Sequence, residues 1–267
     1  MIQKAEINGA ELTYEMIGQG PPILMLHGFG LDRRMWKSQL DALSTNYTVV
    51  VCDMPGFGLS EDPVSVNSLT SADMLSLVSH LGFFRTHVCG LSYGGAVALE
   101  MALQAPETIA SLTLVSAVLG GHHRSQSCVD DLLRSQAQAK HGDLRGAQQT
   151  WIENPLFQQI SQQPSSKAAI VEMVETYRGW HWLHGAKCLN MKAINHLDQI
   201  KVPTLAMVGQ LDLIDFHQMA ECLADGIDQA ELMRFDSNGH MINMEAPERF
   251  NAALLGFLEN HPLYEVD

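Results

Sequence analysis

No run in this 267-residue chain approaches the ~18 consecutive apolar residues of a membrane-span candidate, so no membrane partner is expected. The opening stretch MIQKAEINGAELTYEMIGQG lacks the apolar segment of a secretory leader. Positive charge is scarce: 16 Lys and Arg stand against 30 Asp and Glu, a formal net charge of −14. Such a chain repels a phosphate backbone, which excludes nucleic acid as a partner and leaves solubility as the use of the acidity. Cysteine is sparse and unpatterned: the five residues, Cys52, Cys89, Cys128, Cys188 and Cys222, are odd in number and widely scattered. They form neither a disulfide framework nor a metal-ligand spacing, and a reducing cytoplasm is the expected location.

What the chain does hold is apolar residues, 46% against 17% charged, enough for one buried core with an inserted subdomain. AEINGAELTYEMIG is two alternating segments around Asn8-Gly9, the pattern of a tight β-hairpin. Short apolar runs then recur at 22–26, 47–52, 86–91, 111–118, 204–209 and 230–235. Helix-like segments lie between them, near 36–45, 71–82, 93–104, 215–224 and 246–259. Runs apolar on both faces, alternating with helices, predict an α/β fold with a mostly parallel central sheet covered by helices on both sides. The rhythm breaks between 120 and 195, where Gln-rich amphipathic stretches replace the strand runs. In SKAAIVEMVETYRGWHW, Ile170, Val174 and Tyr177 share helical spacing, with Trp180 one turn on. The expected organisation is a core over 1–119, a helical insertion over 120–195 between two strands, and the rest of the core over 196–267.

CGLSYGG (89–95) contains Gly-x-Ser-x-Gly centred on Ser92. It follows a strand run and precedes YGGAVALEMALQAP, a helix ended by Pro106. A serine at a sharp strand-to-helix turn is held out at the sheet edge, and the helix N-terminus aims its amides at charge developing nearby. A serine hydroxyl needs a base to take its proton. Of the 12 histidines, His240 sits in a Gly-containing loop between the last strand and the last helix, SNGHMINMEAPERF. His217 falls inside a helix, His261 lies beyond the last one, and His80 and His87 belong to a helix end and a strand. The base in turn needs an acceptor to hold its tautomer. QLDLIDF offers Asp212, in the turn after a strand, and Asp215, better read as a helix N-cap; Asp212 is preferred, and Asp236 belongs to a strand end. The order Ser92, Asp212, His240 belongs to one of the triad-bearing folds. For the oxyanion, the strand PILML runs into His27-Gly28-Phe29-Gly30, which can turn the Phe29 amide toward the serine, with the Tyr93 amide as second donor. His27 and Gly28 are placed at the substrate pocket, His27 as a loop brace that takes no proton.

These segments, LHGFG (26–30), YTVVVCDMPGFGLS (47–60), GLSYGG (90–95), GQLDLID (209–215) and NGHMINMEAPERF (238–250), resemble the α/β-hydrolase superfamily over nearly the whole chain. Within it the chain is similar to the carboxylesterase and enol-lactone-hydrolase branch. The resemblance implies that Asp53 and Gly56 belong to a structural loop and that 120–195 forms a lid. Dehalogenases and epoxide hydrolases of this fold need an Asp nucleophile where Ser92 stands. Trp180 and Trp182, with Tyr177 and Leu183, are placed on an aromatic rim of the pocket, the other reading being plain packing of the insertion on the core. No carboxylate or cysteine completes a ligand set with His122, His123, His181 and His184, so neither a metal nor a cofactor is expected. The resulting expectation is a lidded serine hydrolase, monomer or homodimer, acting on small or medium carboxylic esters or lactones. Carbon–carbon bond hydrolysis by the same residues is the alternative, and a non-catalytic ligand receptor of the same fold is another.

Overall fold

Asn8 and Gly9 both take positive φ, 51° and 86°. Their turn lets β1 (Ile2–Ile7) fold back antiparallel on β2 (Ala10–Ile17), with Ile7 opposite Ala10. In the computed structural model, which describes residues 1–185 and 192–263, this hairpin forms one end of a sheet. Its other strands are β3 (Pro22–Leu26), β4 (Thr48–Cys52), β5 (Thr86–Leu91), β6 (Ile109–Val115), β7 (Thr204–Gly209) and β8 (Ala230–Phe235). The eight strands are ordered β1-β2-β4-β3-β5-β6-β7-β8. Every pairing from β4 to β8 is parallel. β5, β6 and β7 are buried at every residue, as strands covered on both faces must be.

The covering helices are α1 (Lys37–Leu43), α2 (Thr70–His80), α3 (Tyr93–Gln104), the inserted α4 (Gln126–Lys140), α5 (Leu144–Ile152), α6 (Pro164–Thr176) and α7 (Trp180–His184), then α8 (Ile214–Gly226), α9 (Ile242–Glu245) and α10 (Pro247–Asn260). Among the described residues, the segment between β6 and β7 holds only helices and 3-10 turns. No helix there or elsewhere in the described chain is long and apolar enough to cross a membrane.

Three local expectations shift. The run 111–118 ends as a strand at Val115, because Ser116 adopts φ 42° and turns the chain, its amide donating to the Met207 carbonyl at 2.7 Å. The periodic stretch 166–182 is two helices, since Tyr177 is extended and Gly179 left-handed at φ 76°. β8 is a sheet edge with only Phe235 fully buried, not a strand buried on both faces. Cys188 lies outside the described residues; Cys52 and Cys89 are buried in β4 and β5, and burial pushes both thiols up.

Candidate active site

The carboxyl ends of β3, β5, β7 and β8 point to one edge of the sheet, where open α/β folds place their ligands. At the end of β5, Ser92 takes φ 54° and ψ −111°, a cramped conformation that a non-glycine residue holds only when its surroundings over-determine it. Its amide donates to Val115 at 2.9 Å, and its carbonyl accepts from Val118 at 3.0 Å. The turn needs Gly94, because a Cβ there would run into the Leu26 and His27 carbonyls at the end of β3. Ser92 caps α3, so the first amides of that helix face the space beside its hydroxyl.

Beyond β7, the Asp212 loop and the loop after β8 are held together by backbone. Leu211 donates to Asn238 at 2.8 Å, and a Cβ on Gly209 would strike the Gly239 carbonyl. The clasp sets His240 against Asp212: Nδ1 donates to Oδ2 at 2.9 Å, with both side chains almost wholly buried. Phe216 of α8 lies against the imidazole, ring centres 4.4 Å apart. Sequence reasoning missed Glu245. Its carboxylate accepts from Gly239 at 2.6 Å and from Met241 at 3.1 Å, gripping the amides on both sides of His240. Burial pushes its carboxyl up although those amides oppose the shift. Its place one turn into α9, five residues after His240, was the available signal.

Asp215 does not cap α8. Leu213 holds that position, and the Asp215 carboxylate instead accepts from the amide and hydroxyl of Ser125, the N-cap of α4. His87 sits inside β5 with Nδ1 2.7 Å from the Ser111 hydroxyl, where burial lowers it to about 4. Asp53 pairs with the buried Arg33 at 2.6 Å and accepts the Leu59 amide, bracing the loop after β4.

After β3, the Phe29 amide has no acceptor among the described residues, while its carbonyl accepts from Trp151 Nε1 at 3.3 Å. A cavity of about 320 Å³, at the small end for ligand sites, opens here. Ser92, His240, Gly28, Phe29 and Tyr93 line it from the core. From the insertion come Arg124, Cys128, Leu132, Trp151, Leu156 and Phe157.

His27, Trp180 and Trp182 do not line this cavity. His27 is fully buried: Nε2 accepts from the Met54 amide at 3.0 Å, which leaves Nδ1 to donate to Gly28 at 2.8 Å. Burial lowers its pKa, although the Gly28 carbonyl opposes the shift. Trp182 packs edge-on against Tyr177, centres 4.8 Å apart, and so anchors α7, while Trp180 lies against His184 of its own helix at 4.8 Å. Leu183 is exposed. The aromatic rim comes instead from Trp151 and Phe157; burial of Trp151 with Ala147, four residues earlier on α5, was the sequence signal for that face.

Comparison with known proteins follows the same segments. A profile of the alpha/beta hydrolase fold family matches residues 21–247. The protein named "Putative carbamate hydrolase RutD" from Azorhizobium caulinodans is 30% identical over 93% of this chain and 95% of its own. A thermophilic esterase from Thermogutta terrifontis superposes with a TM-score of 0.84 at 26% identity, covering 98% of this chain and 100% of the other. The enol-lactonase from Burkholderia xenovorans LB400 superposes at 0.86 with 23% identity, covering 96% and 100%, a likeness of fold alone. The profile spans from the residue before β3 to the first residue of α10 and takes in every strand end that bears on the cleft: the chain belongs to the alpha/beta hydrolase fold family.

Proposed function

We propose that this protein is a serine hydrolase that cleaves small or medium carboxylic esters or lactones through an acyl-enzyme. The observation that carries the reading is the 2.9 Å bond from His240 Nδ1 to Asp212, on the wall of a cavity that His240 shares with Ser92. With Nδ1–H committed to the carboxylate, Nε2 is left as the acceptor for the serine proton. Ser92 Oγ attacks the carbonyl carbon as His240 takes its proton, and the amides of Phe29 and Tyr93 receive the oxyanion. His240 then returns the proton to the leaving alkoxide, and the acyl-serine forms. Water, deprotonated by His240, attacks that ester; the acid leaves and Ser92 recovers its proton. Atoms and charge balance with acyl and proton transfer alone, so the cycle calls for no cofactor.

Residues 120–195 act as the lid over this site, and 1–119 with 196–267 as its core. The enzyme works on its small-molecule substrate in the cytoplasm, as a monomer or homodimer. The likeness to an esterase at 26% identity supports ester cleavage. The 30% identical relative favours carbamates as a second substrate class, reached by the same attack on a carbonyl.

A fluorophosphonate should label Ser92 stoichiometrically. Ser92→Ala and His240→Ala should each lower kcat by roughly 10⁴- to 10⁶-fold, and the double variant should be hardly worse, because the two residues act as one proton-transfer unit. More than a tenth of wild-type kcat in His240→Ala would remove His240 as the base. A folded protein that neither labels nor turns over an ester, lactone or carbamate would restore the ligand-receptor reading. Turnover of a vinylogous diketone far exceeding that of esters would move the function to carbon–carbon bond cleavage.

A further inference from the structure

The chain enters the inserted helices through Arg124, directly before Ser125, the N-cap of α4. Arg124 lines the cavity that holds Ser92 and His240. From there α4 lays Cys128, Leu132 and Gln136 along the same cavity, a spacing of four residues that keeps one helix face on it. Set apart from His240, every other described lining residue is apolar or neutral, and no carboxylate is among them.

Arg124 is exposed and makes no ion pair or hydrogen bond with the described residues, in a protein with 30 acids against 16 basic residues. Two acids that act on Cys128 together with it, Asp215 and Asp212, and two that follow it closely in the chain have other partners. Asp215 holds Ser125, Asp212 holds His240, Asp130 accepts from Gln126, and Asp131 pairs with Arg134. A guanidinium left open beside a mostly apolar cavity matches a planar anion, because its fork of N–H groups can meet both oxygens of a carboxylate at once.

We propose that Arg124 selects esters or lactones carrying a carboxylate remote from the scissile bond, with the chain between the two groups lying against Leu132, Trp151 and Phe157. This rests on the hydrolase reading of Ser92, and the test separates the two. Monomethyl succinate, glutarate and adipate are compared with methyl butanoate, pentanoate and hexanoate, which match them in acyl length. At the best length, kcat/KM should favour the anionic ester on the order of tenfold over its neutral partner, a preference that shrinks as salt rises. Arg124→Gln should lower that ratio on the order of tenfold, and Arg124→Lys should keep part of it. A wild-type ratio near one at every length, or a ratio that Arg124→Gln leaves unchanged, overturns the proposal.

Binding supplies a readout that needs no turnover, with Trp151 in the cavity wall as a fluorescent reporter. Monomethyl glutarate should quench Ser92→Ala saturably, and several-fold more weakly after Arg124→Gln is added. Arg124-dependent quenching without hydrolysis of any ester sustains the carboxylate site and removes the hydrolase reading. Brisk hydrolysis of the neutral esters with quenching indifferent to Arg124 does the reverse.

Discussion

Two carboxylates three residues apart show how little a residue's type says about its task. Asp212 points to His240, while Asp215 ties α8 to the start of the insertion through Ser125. Burial, the largest single influence, pushes the Asp215 carboxyl up, but the amide and hydroxyl of Ser125, the Asp215 amide and His122 together hold the group below its ordinary value. Asp212→Asn should therefore cut kcat by roughly 10⁴-fold, since the wrong imidazole tautomer is then favoured. Asp215→Asn should stay within about tenfold of wild type while losing about 1–3 kcal/mol of stability from its broken bonds to Ser125. Steady-state kinetics and urea unfolding on both variants check this, and the reverse ranking would make Asp215 the acceptor.

At the level of elements, the inserted helices divide two tasks. α7 fastens the insertion to the core: Trp182 is fully buried, and His181 stacks on Phe57 with ring centres 4.2 Å apart. α5 reaches the cavity, where Trp151 touches the carbonyl of Phe29. Trp182→Ala should cost about 3–5 kcal/mol of stability, the usual loss for a deleted core tryptophan. Trp182→Phe should recover most of that, since the indole Nε1 has no hydrogen-bond partner among the described residues. Trp151→Ala should act on the substrate, lowering kcat/KM on the order of tenfold for the longest acyl chain accepted and less for acetate, because buried methylenes lose their wall. A chain-length profile that moves in Trp182→Phe and stays fixed in Trp151→Ala would reverse the assignment.

The whole molecule carries buried histidines that set how it meets acid. Burial, then Arg85 and His261, lowers His87 to about 4, and burial, then His27 and His184, lowers His181 to about 3. The unfolded chain takes up these protons near the ordinary imidazole value of 6.5, before the native state can. Stability from these groups is thus fully present above 6.5 and is lost as pH falls toward the folded values. Each histidine contributes a slope of up to ~1.4 kcal/mol per pH unit within that window. Asp53, Asp73 and Glu245, all raised chiefly by burial, act in the opposite sense. The difference between wild type and His87→Gln isolates the histidine. The urea midpoint of His87→Gln, whose amide can still meet Ser111, should fall less than that of wild type between about pH 7 and pH 5. Parallel profiles would show that His87 is protonated equally in both states.

The alternation of β1 and β2 around Asn8-Gly9, the apolar runs of β3 to β7 and the positions of Ser92, Asp212 and His240 just past strand ends were legible in the sequence. Each depends on local properties: a period of two, a turn residue that accepts positive φ, a glycine beside a crowded bend. The helices described between β6 and β7 were also legible in the sequence, but not which way they face. That depends on contacts between distant segments, such as Trp151 with Phe29, 122 residues apart. Only the tertiary structure decided that Trp182 anchors α7 and Trp180 stays off the cavity while Trp151 and Phe157 reach it, and that Arg124 stands open beside it. It also decided that Glu245 grips the His240 loop and that His27 turns inward. In each case the side chain's surroundings are assembled by docking between elements, a long-range balance of packing and desolvation that no local pattern encodes.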